Sequence, residues 1–189
     1  MVLATRADQP PSPLLGFRYP VLAAAIAALL FGIYSYPYAD NGTMAAATQR
    51  YLSGYAQMVG AVLSLLDPQV VVSANRIVGR SFCMSIVKTC DAMEVNILLA
   101  SALAALPSPF LRRFVTVGAS LVALVAINIL RLSVLYWLGR HAPAWFDRVH
   151  QTFAPLFMVG CALGIFVIAT RRRGPGWGEK PAQADVAPP

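Results

Sequence analysis

Charge is what this chain lacks most: Asp, Glu, Lys and Arg make up 12% of its 189 residues, against 58% hydrophobic. That balance excludes an ordinary soluble globule, because apolar runs this dense belong in a bilayer. Acidic residues are the scarcer sign, 8 against 15 basic, and the net charge is +7. The excess does not mark a nucleic-acid binder. Its basic residues gather at the ends of apolar runs, and no basic-aromatic platform accompanies them. Cysteine is confined to Cys83, Cys90 and Cys161, an odd count that leaves a thiol free or paired between chains. No Cys-x-x-Cys or His-x-x-x-His spacing points to a metal, nothing implies a cofactor, and no internal repeat is visible.

What is present is a series of apolar runs. Residues 1–19 are polar and Pro-rich and read as a flexible cytoplasmic tail; 20–173 form one integral membrane domain; 174–189, rich in Pro and Ala, read as disordered. Pro20 to Tyr36 is a first span, with Tyr36-Pro37-Tyr38 as an aromatic belt in place of a small-x-small cleavage site. Thr43 to Leu66 is mixed: Leu52, Tyr55, Met58, Val59, Val62 and Leu66 recur at helical spacing, while Gln49, Arg50, Gln57 and Ser64 interrupt. That pattern predicts an amphipathic helix lying in the interface, ended by Asp67-Pro68. Val70 to Ser73, a turn over Asn75 to Gly79, and Ser81 to Lys88 predict a hairpin. Three more runs follow, Ala92 to Leu106, Phe114 to Trp137 and Thr152 to Thr170. The fold class is therefore all-α and polytopic, with about four transmembrane helices, an interfacial helix and a small outward-facing hairpin.

The pivotal stretch is Ser81 to Pro107. It alternates first, with Phe82, Met84 and Ile86 on one side and Ser81, Cys83 and Ser85 on the other, the period of a half-exposed strand. At Thr89-Cys90 the pattern becomes helical. Thr89 or Asp91 can cap the helix, and Asp91-x-x-Glu94 reads as a capping box. Either cap puts Cys90 at a helix N-terminus, where free amides favour a thiolate.

Arg112-Arg113 and the triple Arg171 to Arg173 place two helix ends in the cytoplasm by the positive-inside rule. The hairpin, Cys90 and the loop from Leu138 to Val149 then face outward. Arg131 lies roughly 26 Å beyond Phe114 along its helix, near the outer face of a core about 30 Å thick. His150 opens the last span on the same side, and Asn128 sits one turn below Arg131. Three chemistries thus meet at one depth: a thiolate on Cys90 to attack a carbonyl, His150 to move the proton, Arg131 to stabilise the oxyanion or the thiolate. Plainer readings stand beside this one. Arg131 can be a helix-pairing partner of Glu94 in a non-catalytic membrane scaffold, His150 an incidental interfacial residue, and Cys90 a packed thiol or bonded to Cys83. Cys161, among Met158, Val159 and Leu163, reads as helix packing.

The order Cys90-Asp-Ala-Met-Glu94 opening a span, Asn128-Ile-Leu-Arg131-Leu in the next, and a single His150 opening the last resembles the exosortase/archaeosortase family of membrane cysteine transpeptidases. The likeness covers roughly Tyr51 to Thr170, and Leu-Leu-Ala-x-x-Leu-Ala-x-x-Pro, completed by Pro107, looks most like the compact exosortase H type. The resemblance implies that Cys90 is the nucleophile, with Arg131 and His150 completing the site; Asn128, Glu94 and Asp91, by their positions beside these residues, are expected in support. It implies substrates that are exported proteins with a C-terminal sorting tail of short motif, apolar helix and basic residues. The setting it implies is a cell (inner) membrane, with the site on its outer face and water, an amine or a hydroxyl as acceptor. One residue departs from the pattern: the family usually has glycine two positions after the cysteine, where this chain has Ala92, preceded by Asp91. An adjacent carboxylate opposes a thiolate unless it caps the helix or pairs with Arg131.

Overall fold

The computed structural model describes residues 13–35 and 42–171. Its helices are α1 (Pro13–Ser35), α2 (Thr43–Ser64), α3 (Met93–Ala105), α4 (Phe110–His141), α5 (Pro143–Arg148) and α6 (Ala154–Arg171). Between α2 and α3 lies a sheet of β1 (Val71–Ser73), β2 (Arg76–Val78) and β3 (Cys83–Ser85). Three helical stretches are long and apolar enough to cross a membrane: Arg18–Ser35, Phe110–His141 and the run Pro143–Arg171. Val21, Leu22, Leu29 and Phe31 of α1 all point outward, as on a helix whose solvent is lipid. α3 is apolar but has 13 residues. At 1.5 Å per residue it rises about 20 Å, less than a hydrocarbon core.

Several boundaries differ from the sequence reading. α1 begins at Pro13, inside the expected tail; the aromatic belt at 36–38 and the tail at 174–189 lie outside the described residues. No long loop runs from Leu138 to Val149: α4 continues to His141, and after Ala142 the chain turns directly into α5, with Pro143 in its first turn. From there it stays helical through a π-turn at Val149–Phe153 into α6. The expected hairpin is a three-stranded antiparallel meander. The segment read as its turn contains the central strand β2, paired to β1 (Ser73 with Arg76) and to β3 (Arg76 with Ser85). The true first turn is Ala74-Asn75, with Ala74 at φ 53.

One row of residues crosses the sheet, Val72, Ile77 and Met84 in register, and it faces the helices. Two glycines allow the sheet to dock closely. A Cβ on Gly60 of α2 would strike Val72, and one on Gly139 of α4 would strike the Phe82 ring. α2 buries Leu52, Tyr55, Ala56, Val59 and Leu63, whereas Met58, Val62 and Leu66, expected on the same face, point outward. Its C-terminal end is tied to α4 by an ion pair of Asp67 with Arg140. Asp67 also accepts from the Gln69 amide, the larger reason its carboxyl sits below the ordinary carboxylate range.

Two apolar clusters result. One joins α2, the sheet, Cys90, Leu132, Leu135, Tyr136 and Ala154; the other holds Leu99, Leu103, Leu124, Met158 and Ala162 farther along the bundle. Cys161 packs against the second cluster.

Candidate active site

Cys90 is the last residue of a 3-10 turn, Lys88–Cys90, and is 4% exposed. It precedes α3 rather than opening it, which corrects the sequence reading. The residue in the N-cap position is Ala92, with a left-handed backbone at φ 54 that glycine adopts far more easily. Asp91 still satisfies a free amide of the helix start, accepting from the Met93 N–H at 2.9 Å. The capping box does not close, for Glu94 is exposed.

Asn128 organises the site from α4. It is fully buried, and its Nδ2 donates to the Cys90 carbonyl and to the Tyr55 hydroxyl, each at 2.9 Å. Its Oδ1 accepts from Arg131 Nη1 at 3.0 Å, so one amide joins the Cys90 turn, α2 and the guanidinium. Arg131 is 8% exposed, and its Nε has no partner among the described residues. Its charge is felt at both the Cys90 sulfur and the His150 ring, so Arg131 is an electrostatic neighbour of each. Arg131 bonds Asn128 where the scaffold reading required Glu94; the ion pair among the described residues is Arg140 with Asp67.

His150 lies in the π-turn, a helix irregularity common at functional positions. Its ring stacks on Phe146 at 5.5 Å, and its buried Nδ1 has no partner among the described residues. His141 is the last residue of α4 rather than part of a loop, and its Nδ1 is engaged by the Trp137 carbonyl at 3.0 Å. Cys83, Cys90 and Cys161 are all free thiols, so Cys83 is not bonded to Cys90.

Two hollows flank Arg131. One, of about 310 Å³, is apolar and lies between α4 and the α5–α6 run, with Ile127, Leu130, Val134, Phe153 and Phe157 on its walls. The other, of about 230 Å³, is mixed, with Lys88, Thr89, Asp91 and Glu94 as well as Arg131 beside the apolar Val95 and Met158. The guanidinium therefore stands between an apolar hollow and one that carries charged side chains.

The sequence reading missed the tyrosines. Tyr34 of α1 places its hydroxyl 2.9 Å from the Lys88 carbonyl and 3.2 and 3.1 Å from the two Asp91 oxygens. Tyr51 of α2 meets the same carboxyl, and Tyr55 meets Asn128. Burial, opposed by the Met93 amide and these hydroxyls, raises the Asp91 carboxyl above its ordinary range. Burial also raises the Tyr51 phenol. Separations of 57 residues to Asp91 and 73 to Asn128 hid these contacts from local pattern.

No family model, curated protein or solved structure matches this chain.

Proposed function

We propose that this protein is a membrane-embedded cysteine transpeptidase or peptidase that cleaves the C-terminal sorting tail of exported proteins. The observation that carries this reading is the convergence of Cys90, Arg131 and His150 from three separate elements, with Asn128 fixing the first two. An arginine within a span costs roughly 3 kcal/mol on insertion scales, and here its buried Nε has no partner among the described residues. The left-handed Ala92, where the resembled family usually has glycine, is a second support.

The chemistry runs in two steps. The Cys90 thiolate forms a C–S bond to the scissile carbonyl, and Arg131 donates to the oxyanion. Collapse breaks the C–N bond, and the leaving amine takes a proton from His150. An acceptor amine, hydroxyl or water then gives its proton to His150, attacks the thioester and releases the Cys90 thiolate. In this arrangement α1, α4 and the α5–α6 run cross a cell (inner) membrane, α3 is a short fourth span packed among them, α2 lies in the interface, and the sheet faces outward. The tail's apolar helix lies against the outside of the bundle and sets side chains into the apolar hollow beside Arg131.

The test is co-expression with an exported reporter carrying a motif, an apolar helix and a basic tail. Cys90→Ala should insert and fold but leave the reporter uncut, while Cys83→Ala and Cys161→Ala keep activity within about threefold, as expected away from the reacting atoms. Processing that continues in Cys90→Ala would sink the reading.

A further inference from the structure

The Tyr34 hydroxyl has one proton and three acceptors around it: the Lys88 carbonyl at 2.9 Å and the Asp91 oxygens at 3.2 and 3.1 Å. If Tyr34 donates to the nearest of them, the Lys88 carbonyl, the contact with Asp91 needs a proton from the other side. We infer that Asp91 is a neutral carboxylic acid in the folded protein, donating its own proton to Tyr34, and that this keeps the residue next to Cys90 uncharged. The hydrogen-bond count then closes. Oδ2–H donates to the Tyr34 oxygen, Tyr34 O–H donates to the Lys88 carbonyl, Oδ1 accepts from the Met93 amide, and the carboxyl's remaining lone pairs accept from the Tyr51 hydroxyl.

The surroundings favour the neutral form. Asp91 is 1% exposed, and a buried charge without a close cation is far costlier than a buried acid. The charged and titratable groups facing it come from every packed element. Tyr34 on α1 and Tyr51 on α2 are phenols, and Glu94 on α3 adds a like charge that disfavours ionisation. The Lys88 ammonium sits over the Tyr34 ring at 5.5 Å, and Arg131 on α4 is engaged by Asn128. Burial raises the carboxyl, in the direction the geometry requires. The sign for stability follows. A carboxyl with a raised folded value contributes fully below its ordinary range, and that contribution is lost as pH rises through the raised value.

The consequence for the site is electrostatic. With Asp91 uncharged, the Arg131 cation acts on the sulfur and no adjacent carboxylate opposes a thiolate. Asp91 is thus a positioning residue: it fastens α1 and α2 to the turn that ends in Cys90 and adds no negative charge there. Its link to catalysis rests on the function proposed above, but its protonation does not.

The experiment uses the full chain in nanodiscs and needs no substrate, so a failed peptidase reading would leave its outcome intact. Infrared spectra at pH 7 should show the C=O stretch of a protonated carboxyl that disappears in Asp91→Asn. In Tyr34→Phe, which removes the acceptor, the band should shift to the frequency of a weaker hydrogen bond. Alkylation of Cys90 in a Cys83→Ser, Cys161→Ser background should keep its pH profile when Asp91→Asn is added, because the amide imitates the neutral acid. A spectrum with no such band at pH 7 would overturn the inference, as would an alkylation profile moved about tenfold toward lower pH by Asp91→Asn, the mark of a lost neighbouring charge.

Discussion

Asn128 holds Cys90 by its backbone, not its sulfur: the side-chain amide donates to the Cys90 carbonyl at 2.9 Å across 38 residues of sequence. The thiol itself is left unbound by this contact, while the turn that presents it is fixed against α4. The same amide oxygen receives Arg131. A single buried side chain therefore sets the spacing between nucleophile and cation, and its loss should be felt in rate more than in fold.

Asn128→Asp tests that division of labour. The carboxylate keeps the volume and pairs with Arg131, but it cannot donate to the Cys90 carbonyl or to Tyr55. We predict insertion and helix content like the parent and a loss of about 10²-fold in turnover, the scale of a misplaced reacting group. Near-parental cleavage of the reporter would show that Asn128 does not position Cys90.

Arg131→Lys separates geometry from charge. Arginine can bond Asn128 through Nη1 and still offer Nε to a developing oxyanion; lysine is a point charge on a flexible stem. Turnover should fall by roughly 10²-fold, as when a single oxyanion donor is removed. A variant as active as the parent would leave Arg131 no oxyanion role.

Ala92→Gly should stabilise the protein. An L-residue in the left-handed region costs about 1–2 kcal/mol, and the greater freedom of glycine in the unfolded chain returns part of it. The net gain should be roughly 0.5–1 kcal/mol, seen as a higher unfolding midpoint in detergent. Ala92→Val, branched at Cβ, should lower it. A fall in the midpoint with glycine would mean that this turn is not left-handed in solution.

How much of this was legible in the sequence depends on what each feature answers to. Apolar helices in lipid need no partner to be apolar, so the runs leading to α1, α4 and α6 were readable from hydropathy alone. The buried face of α2 depends on what it packs against. Ala56 is at its centre and is too small to weigh in a hydrophobic pattern, so Met58 and Val62 were placed inward in error. Strand β2 is three residues long and follows Asn75, so it read as a turn. Cys90, Arg131 and His150 could be named because an internal arginine and scarce His and Cys stand out against an apolar background. Tyr34 and Tyr55 could not, because an aromatic residue near a helix end has an ordinary role at a membrane surface. Nothing in an alanine signals a positive φ, and the start of α3 was accordingly placed too early.

The two histidines supply an internal control for the assignment of the proton carrier. They lie nine positions apart in sequence, at 141 and 150. Composition cannot choose between them, since both have an ordinary value near neutrality. Structure separates them by what their ring nitrogens do. His141 is exposed at the end of α4, stacks on Trp137 at 5.2 Å, and has its Nδ1 engaged by the Trp137 carbonyl. Its hydrogen bond is already spent on its own helix. His150 is held by Phe146 and by the π-turn, carries a buried Nδ1 with no partner among the described residues, and lies within reach of the Arg131 charge. A buried polar atom left open in this way costs free energy unless a reacting group or water completes it. A proton carrier also has to come within hydrogen-bond distance of the sulfur or the leaving nitrogen, and a helical position fixes that distance well. His150→Ala should therefore lose about 10²-fold or more in cleavage rate, the usual contribution of general acid–base catalysis. His141→Ala should change the rate by less than about threefold, as surface substitutions generally do. Both variants are to be purified, checked for insertion, and compared with the parent on one reporter. If His141→Ala proves the crippled variant, or if both stay active, His150 is not the proton carrier and the site must be built around another group.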